Sequence, residues 1–355
     1  MQLKRVCKGG AAGLVVALAA SVVPLTGGSP VAAAKTKTTN PACTPIPVKK
    51  HATVSLGWAG AFEVWAPILV AQAEGLFTKE NITVNTSVVT GSNALVLLEK
   101  GQLDLELGGL TGGWLNGMAD GTSYRIVAPG VELTPKSNGF YIDSKYFTSA
   151  GKLTVSAIKG TTIGISVGGK ASSIAPGLNK ALKKYGLTLT TFTVTQLIST
   201  TSLVGLKSGS LSGGYLNPPQ SISFIKTKLG KQFWTFPAKT PFAAYLASGT
   251  AIAHQKPALQ AFFRAIQCAS SKYLSGTYHQ RPAVVKIIAT AEHLPTATVN
   301  NGPAQYSWPA TLKFNPAGLL TVQKGWASFG GGILTYTKPL TLKQMVNQSV
   351  IPKIK

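Results

Sequence analysis

Three short turns rich in glycine and side-chain donors carry the chain's clearest chemical potential: Gly91, Ser92 and Asn93; Gly109, Leu110 and Thr111; and residues 168–173. Each stands between a β-rich run and a helical pattern, where the first N–H groups of a helix lack partners and carry a partial positive charge. A small anion binds in such a turn without a formal cation. Ordinary helix capping is the competing use of the same residues. The candidate ligand contacts are therefore Ser92, Asn93, Thr111, Ser172 and Ser173. Rings supply candidate walls: Trp58 and Phe62 flank Ala59 in a Gly-rich turn, and Trp114 and Tyr215, with Asn217 two residues on, add others. Core packing is the alternative for each ring and is stronger for Trp65, which has helical neighbours. Glu63 is a candidate partner for a ligand amine, or else a surface acid.

Gly164, Ser166 and Gly168 fit G-x-S-x-G, the nucleophile turn of an α/β-hydrolase. An exported serine hydrolase using Ser166 is thus the alternative function. That chemistry needs an acid and then a histidine later in the chain. The only acid after Ser166 is Glu292, followed at once by His293, and neighbours cannot orient each other as a triad. His51, His254, His279 and His293 show no metal-ligand spacing. No catalytic residue, cofactor or metal is expected.

The elements that hold these turns alternate between strand and helix patterns. Residues 53–56 and 82–89 read as strands, and 67–76 as a helix with apolar Leu69, Val70, Ala73 and Leu76 on one face. A helix follows Gly91 and ends near Gly101, and 103–107 and 124–128 read as strands. The series repeats with strands at 161–167, 189–194 and 211–216, and with helices after 173, 199 and Pro219. Two such series describe two α/β lobes, and ligands of such sheets sit at the carboxyl ends of strands.

Lys4, Arg5 and Lys8 precede an apolar run, 11–23, and an A-x-A site ending at Ala34, which reads as a secretory signal peptide, 1–34. The remaining chain has 31 basic and 10 acidic residues, a net charge of +21. The charge is lopsided: residues 144–355 hold 23 Lys and Arg against Glu292 alone, whereas 35–143 hold 8 basic and 9 acidic side chains. Either an anionic partner or an acidic medium accounts for this. The lysines are scattered and arginine is scarce, which argues against nucleic acid. Cys43 and Cys268 remain after the leader; a disulfide, two free thiols and lipidation of Cys43 are the readings open.

Ala66, Pro67, Ile68, Leu69, Val70, Ala71, Gln72, Ala73, Glu74, Gly75, Leu76 and Phe77 together resemble the "aPlyvAqekGlF" helix of ABC-transporter solute-binding proteins for nitrate, taurine, sulfonates and thiamine precursors. Gly91, Ser92 and then Leu98 to Asp104 are similar to that family's "Gs…aLasGqvD", residues 159–165 to its "lkGKkigv", and Tyr215 to Pro219 to its "Pp" helix start. Ser212 stands where the family's second "sG.vD" has Asp. The resemblance implies a two-lobed α/β periplasmic-binding-protein fold, type II-like, each lobe a mostly parallel sheet flanked by helices. It places a 35–50 extension first, lobe one at 51–135, lobe two at 136–244, and a return to lobe one with C-terminal helices at 245–355. It implies an exported monomer, in the periplasm or at the outer face of the cell. That monomer would take a small sulfonate-, taurine- or nitrate-like anion or a small heteroaromatic by lobe closure, and pass it to ABC permease subunits.

Overall fold

Strand β1 (Ala52–Trp58) buries Val54 and Leu56 completely, and helix α1 (Ala66–Ala73) covers it with an unbroken buried run from Ala66 to Ala71. Pro67 suits the first turn of α1, where its missing N–H has no partner to lose. Gly75, at φ +62°, reverses the chain into α2 (Leu76–Lys79). The chain continues through β2 (Ile82–Val88), α3 (Gly91–Glu99), β3 (Leu105–Gly109), α4 (Gly112–Ala119) and β4 (Arg125–Leu133). This computed structural model describes residues 41–353 apart from 90, 135–137, 167, 238, 239, 303, 305, 330 and 331. The predicted leader lies outside the described residues, as does part of each crossing between the two sheets.

Past the first crossing come β5 (Gly139–Asp143), α5 (Val155–Ile158), β6 (Thr162–Ile165), α6 (Ala175–Lys183), β7 (Thr193–Gln196), α7 (Ser199–Ser208), β8 (Gly213–Leu216), α8 (Gln220–Lys226) and β9 (Gly230–Thr235). The chain then returns as β10 (Thr240–Ala247), α9 (Gly249–His254), α10 (Lys256–Cys268), α11 (Pro282–Ala291), α12 (Thr296–Asn300), β11 (Tyr306–Ser307), α13 (Pro316–Ala327) and α14 (Leu342–Met345).

The first sheet runs β11-β4-β10-β3-β1-β2 and the second β7-β6-β8-β5-β9. This is a two-lobed α/β fold, but the sheets are mixed, not mostly parallel. β2-β1-β3 and β7-β6-β8 are parallel, as helical crossovers require. β10 joins β3 and β4 antiparallel, and β5 joins β8 and β9 antiparallel, because these strands enter or leave at the crossings. β10 lies in the first sheet from Thr240 onward. Residues 189–194, expected as a strand, divide: Leu189–Thr191 form a 3-10 turn and the strand starts at Thr193. Thr188 and Thr191 make a reciprocal capping box there, a local hydrogen bonding that competes with the sheet ladder.

Helix α10 fills the first core. Phe262 stacks on Phe77 at 5.4 Å and meets Tyr245 edge-on at 5.9 Å. Its outer side fastens the 41–50 extension: Cys268 is disulfide-bonded to Cys43, and Arg264 pairs with Glu80 at 2.6 Å and donates to the Ile46 carbonyl. No helix among the described residues is long and apolar enough to cross a membrane.

Candidate functional site

The carboxyl ends of β3 and β6 meet at one point. Past β3, Leu110 and Thr111 lead into α4; past β6, Ser166 leads through Gly168 to Ser172 and Ser173. Thr111 and Ser172 pair as an antiparallel bridge, Ser173 N–H donates to the Leu110 carbonyl at 3.0 Å, and Ser173 Oγ donates to the Phe242 carbonyl at 3.3 Å. Trp326 of α13 donates from Nε1 to the Ser172 carbonyl at 2.9 Å, so the C-terminal return holds the second-lobe turn in place. Gly168 adopts φ +94°, and a Cβ there would stand 2.9 Å from Thr111 Cγ2.

Behind these contacts lies a cavity of about 90 Å³. Of the predicted ligand residues it brings together Ala59, Thr111, Trp114, Ser172 and Ser173. Trp65, Glu106, Ser166 and Phe242 complete the part of its wall that matters here, and no Lys, Arg or His lines it. Trp65 Nε1, Glu106 Oε2, Ser166 Oγ and Ser172 Oγ are all buried and all lack a hydrogen-bond partner. Buried polar groups are nearly always paired, so four unpaired ones around one void mark a place built for something else.

Glu106, only 1% exposed, is the singular group. Burial pushes its carboxyl up from 4.5 to about 8, against the pull of a hydrogen bond from the Gly91 backbone. Sequence reasoning missed it. The available signal was an acid between Leu105 and Leu107 in a run that reads as a strand, in a chain with few acids.

The other predicted residues stand elsewhere. Ser92 and Asn93 are exposed in the first turn of α3 and do not line this cavity. Phe62 is 47% exposed, and Trp58 is buried in the first core. Tyr215 donates to Asn138 Oδ1 at 3.0 Å and backs Phe242 at 6.3 Å between ring centres. Asn217 Nδ2 donates to the Tyr306 hydroxyl at 3.4 Å. Ser166 shares its cavity with no histidine, and the titratable side chain beside it there is the carboxyl of Glu106.

A larger cavity, about 210 Å³, lies between Pro218, Pro219 and Ile222 on one side and Glu63, His279 and Glu292 on the other. Its buried polar groups already satisfy one another. Glu63 Oε1 accepts from Tyr278 at 2.5 Å and from His279 Nε2 at 2.7 Å, while His279 Nδ1 donates to the Gly302 carbonyl at 2.8 Å. Burial alone would lower the pKa of His279, but the Glu63 carboxylate and the Gly302 carbonyl raise it overall. Glu63 is thus a structural ion-pair partner. Among the described residues no group of three or more His, Cys, Asp or Glu could hold a metal ion.

The sequence matches no protein-family model, and no curated protein matches it. Its structure is similar to the alkanesulfonate-binding protein SsuA from Xanthomonas axonopodis pv. citri bound to MOPS, with TM-score 0.58 and 20% identity over 79% of this chain and 92% of that one. It is similar also to the periplasmic nitrate-binding protein NrtA from Synechocystis PCC 6803, with TM-score 0.59 and 13% identity over 85% of this chain and 87% of that one. The fold is that of the periplasmic binding proteins. The periplasmic-binding-protein fold is not confined to binding: the desulfurization enzyme DszB is similar too, with TM-score 0.53 and 12% identity over 84% of this chain and 98% of that one. Function must therefore be argued from the site.

Proposed function

We propose that this chain is the extracytoplasmic solute-binding component of an ABC importer, holding a small anion between its lobes without covalent chemistry. The observation that carries the reading is the set of four unpartnered buried polar atoms around a cavity walled by both lobes. Each such group left unsatisfied costs about 1–3 kcal/mol, which a ligand meeting all of them would recover. Trp65 Nε1 can only donate, and the two serine hydroxyls can do so, which favours a ligand rich in acceptors. The volume suits a nitrate-sized ion or a sulfonate headgroup, well below the 300 Å³ or more of common ligand pockets. Trp114 and Phe242 would cover an alkyl or planar remainder. The named ligands of SsuA and NrtA, alkanesulfonate and nitrate, support the same class.

The lobes would part at hinges near Leu133 to Phe140 and Pro237 to Leu246, the two crossings between them, and close through the Thr111–Ser172 bridge. A permease of the importer is the expected partner, the chain acting as an exported monomer at the outer side of the membrane, in an acidic medium. Native mass spectrometry of the purified chain tests the reading: a carried-over small anion lost on mild unfolding is expected. Absence of any carried-over molecule, together with no thermal shift by nitrate, methanesulfonate or taurine, would refute it.

A further inference from the structure

We infer that the site takes its anion together with a proton on Glu106, so that this one carboxyl decides whether the cavity admits a negative charge. The inference rests on the anion-binding reading above and deepens it.

The geometry sets up a conflict that only protonation resolves. Glu106 lines the cavity together with Gly91 at the start of α3, and its Oε2 is buried without a partner. An ionised carboxylate offers acceptors only, and a buried negative charge would face the ligand's own. Once protonated, Glu106 becomes a donor and joins Trp65 Nε1, Ser166 Oγ and Ser172 Oγ in a set of four donors around one void. A carboxylic acid kept neutral by an apolar site is a known means of donating to a negative oxygen.

The surroundings leave the decision to that group alone. α3 contributes Gly91, α4 Trp114, β10 Phe242, the turn before α1 Trp65, and the second lobe Ser166, Ser172 and Ser173; none of these titrates near neutrality. The titratable group that senses the charge of Glu106 is the Tyr124 phenol, which is raised chiefly by its own burial and lies near Glu99 and Asp120 as well. Burial keeps Glu106 protonated through neutral pH in the empty site. Linkage then requires anion affinity to be flat at acid pH and to fall about tenfold per unit above about pH 8.

Isothermal titration of the full chain with nitrate and with methanesulfonate from pH 5 to pH 9.5, in buffers of differing ionisation heat, tests this. The expected result is that slope, with close to one proton taken up per anion at pH 9. Glu106→Gln, which keeps a donor and cannot ionise, should bind equally at both ends of the range. A flat wild-type profile, or the same slope in Glu106→Gln, overturns the inference and leaves anion binding standing. Methylammonium binding with proton release, lost in Glu106→Gln, overturns it in favour of a cationic ligand. No binding of any probe by the folded chain at any pH would defeat the binding reading and this inference with it. The wild-type profile and proton count decide the matter even if the variant does not fold.

Discussion

Replacing Glu106 by Gln should stabilise the empty protein at alkaline pH and leave it nearly unchanged in acid. The wild-type carboxyl is held protonated by burial, its pKa raised from 4.5 to about 8. A group whose folded pKa is raised contributes stability that is fully present below its unfolded value and is lost as pH rises through its folded value. Each pH unit in that window is worth about 1.4 kcal/mol, so the full gap amounts to about 5 kcal/mol. Water admitted beside the unpartnered Oε2 offsets part of this, leaving a difference of about 2–5 kcal/mol to look for at pH 9. Gln keeps the shape and an acceptor oxygen of the side chain and never ionises. Urea denaturation of ligand-free wild type and variant at pH 5, 7 and 9 measures the difference directly. Two parallel curves, or a variant that is the weaker protein at pH 9, would refute the reasoning.

Ser166→Ala and Ser172→Ala should each weaken anion binding about tenfold or more and leave the apo melting temperature unchanged, because in the empty protein these hydroxyls bond nothing; calorimetric titration and a thermal scan read the two effects. Gly168→Ala forces a side chain into φ +94° and against Thr111, so affinity should fall through a strain of about 1–2 kcal/mol at the interlobe bridge; equal affinity would show that the bridge does not matter. Reducing Cys43–Cys268, which are 225 residues apart, should cost about 5 kcal/mol on the chain-entropy account, seen as a lower melting temperature under dithiothreitol. Circular dichroism from pH 7 to pH 2 should show no cooperative unfolding above about pH 4, where acids that stabilise by being ionised would protonate.

The strand–turn–helix order was legible because it is written in local periodicity, and the turns that meet at Thr111, Ser172 and Ser173 were legible because strand ends announce them. What local pattern cannot carry is a partner distant in sequence. The antiparallel entry of β10 between β3 and β4 pairs residues more than a hundred positions apart. Ser92 and Asn93 follow a strand end as Thr111 does, but they face solvent and only their neighbour Gly91 reaches the cavity wall. Trp65 read as core, and it is buried, but it also lines the cavity and its indole nitrogen has no partner. Glu106 itself was visible as an acid in an apolar strand; its meaning depended on which void it faced.

The scarcity of acids and the titration of the buried groups bear on the same question from different residues. Most acids that remain serve a specific donor: Glu80 takes Arg264, Glu74 the Tyr273 hydroxyl, Glu99 the Ser123 N–H, and Asp104 Ser55 and Gln255. Asp143 caps Lys145, and Glu292 accepts from Glu63 N–H. Carboxylates thus stand mostly where a donor meets them and are nearly absent from 144–355, which is rich in lysine. Steering of anions would account for the lysines alone. It would not account for the buried groups. Glu106, His279 and Glu292 are all shifted upward: Glu106 and Glu292 mainly by burial, and His279 by its carboxylate and carbonyl partners against burial. Each therefore binds its proton more tightly in the folded chain than in the unfolded one, and each favours the folded state more as pH falls. A surface with little to lose on acidification, around buried groups that gain by it, should let the fold hold as pH falls, and the circular dichroism scan is the test of that expectation.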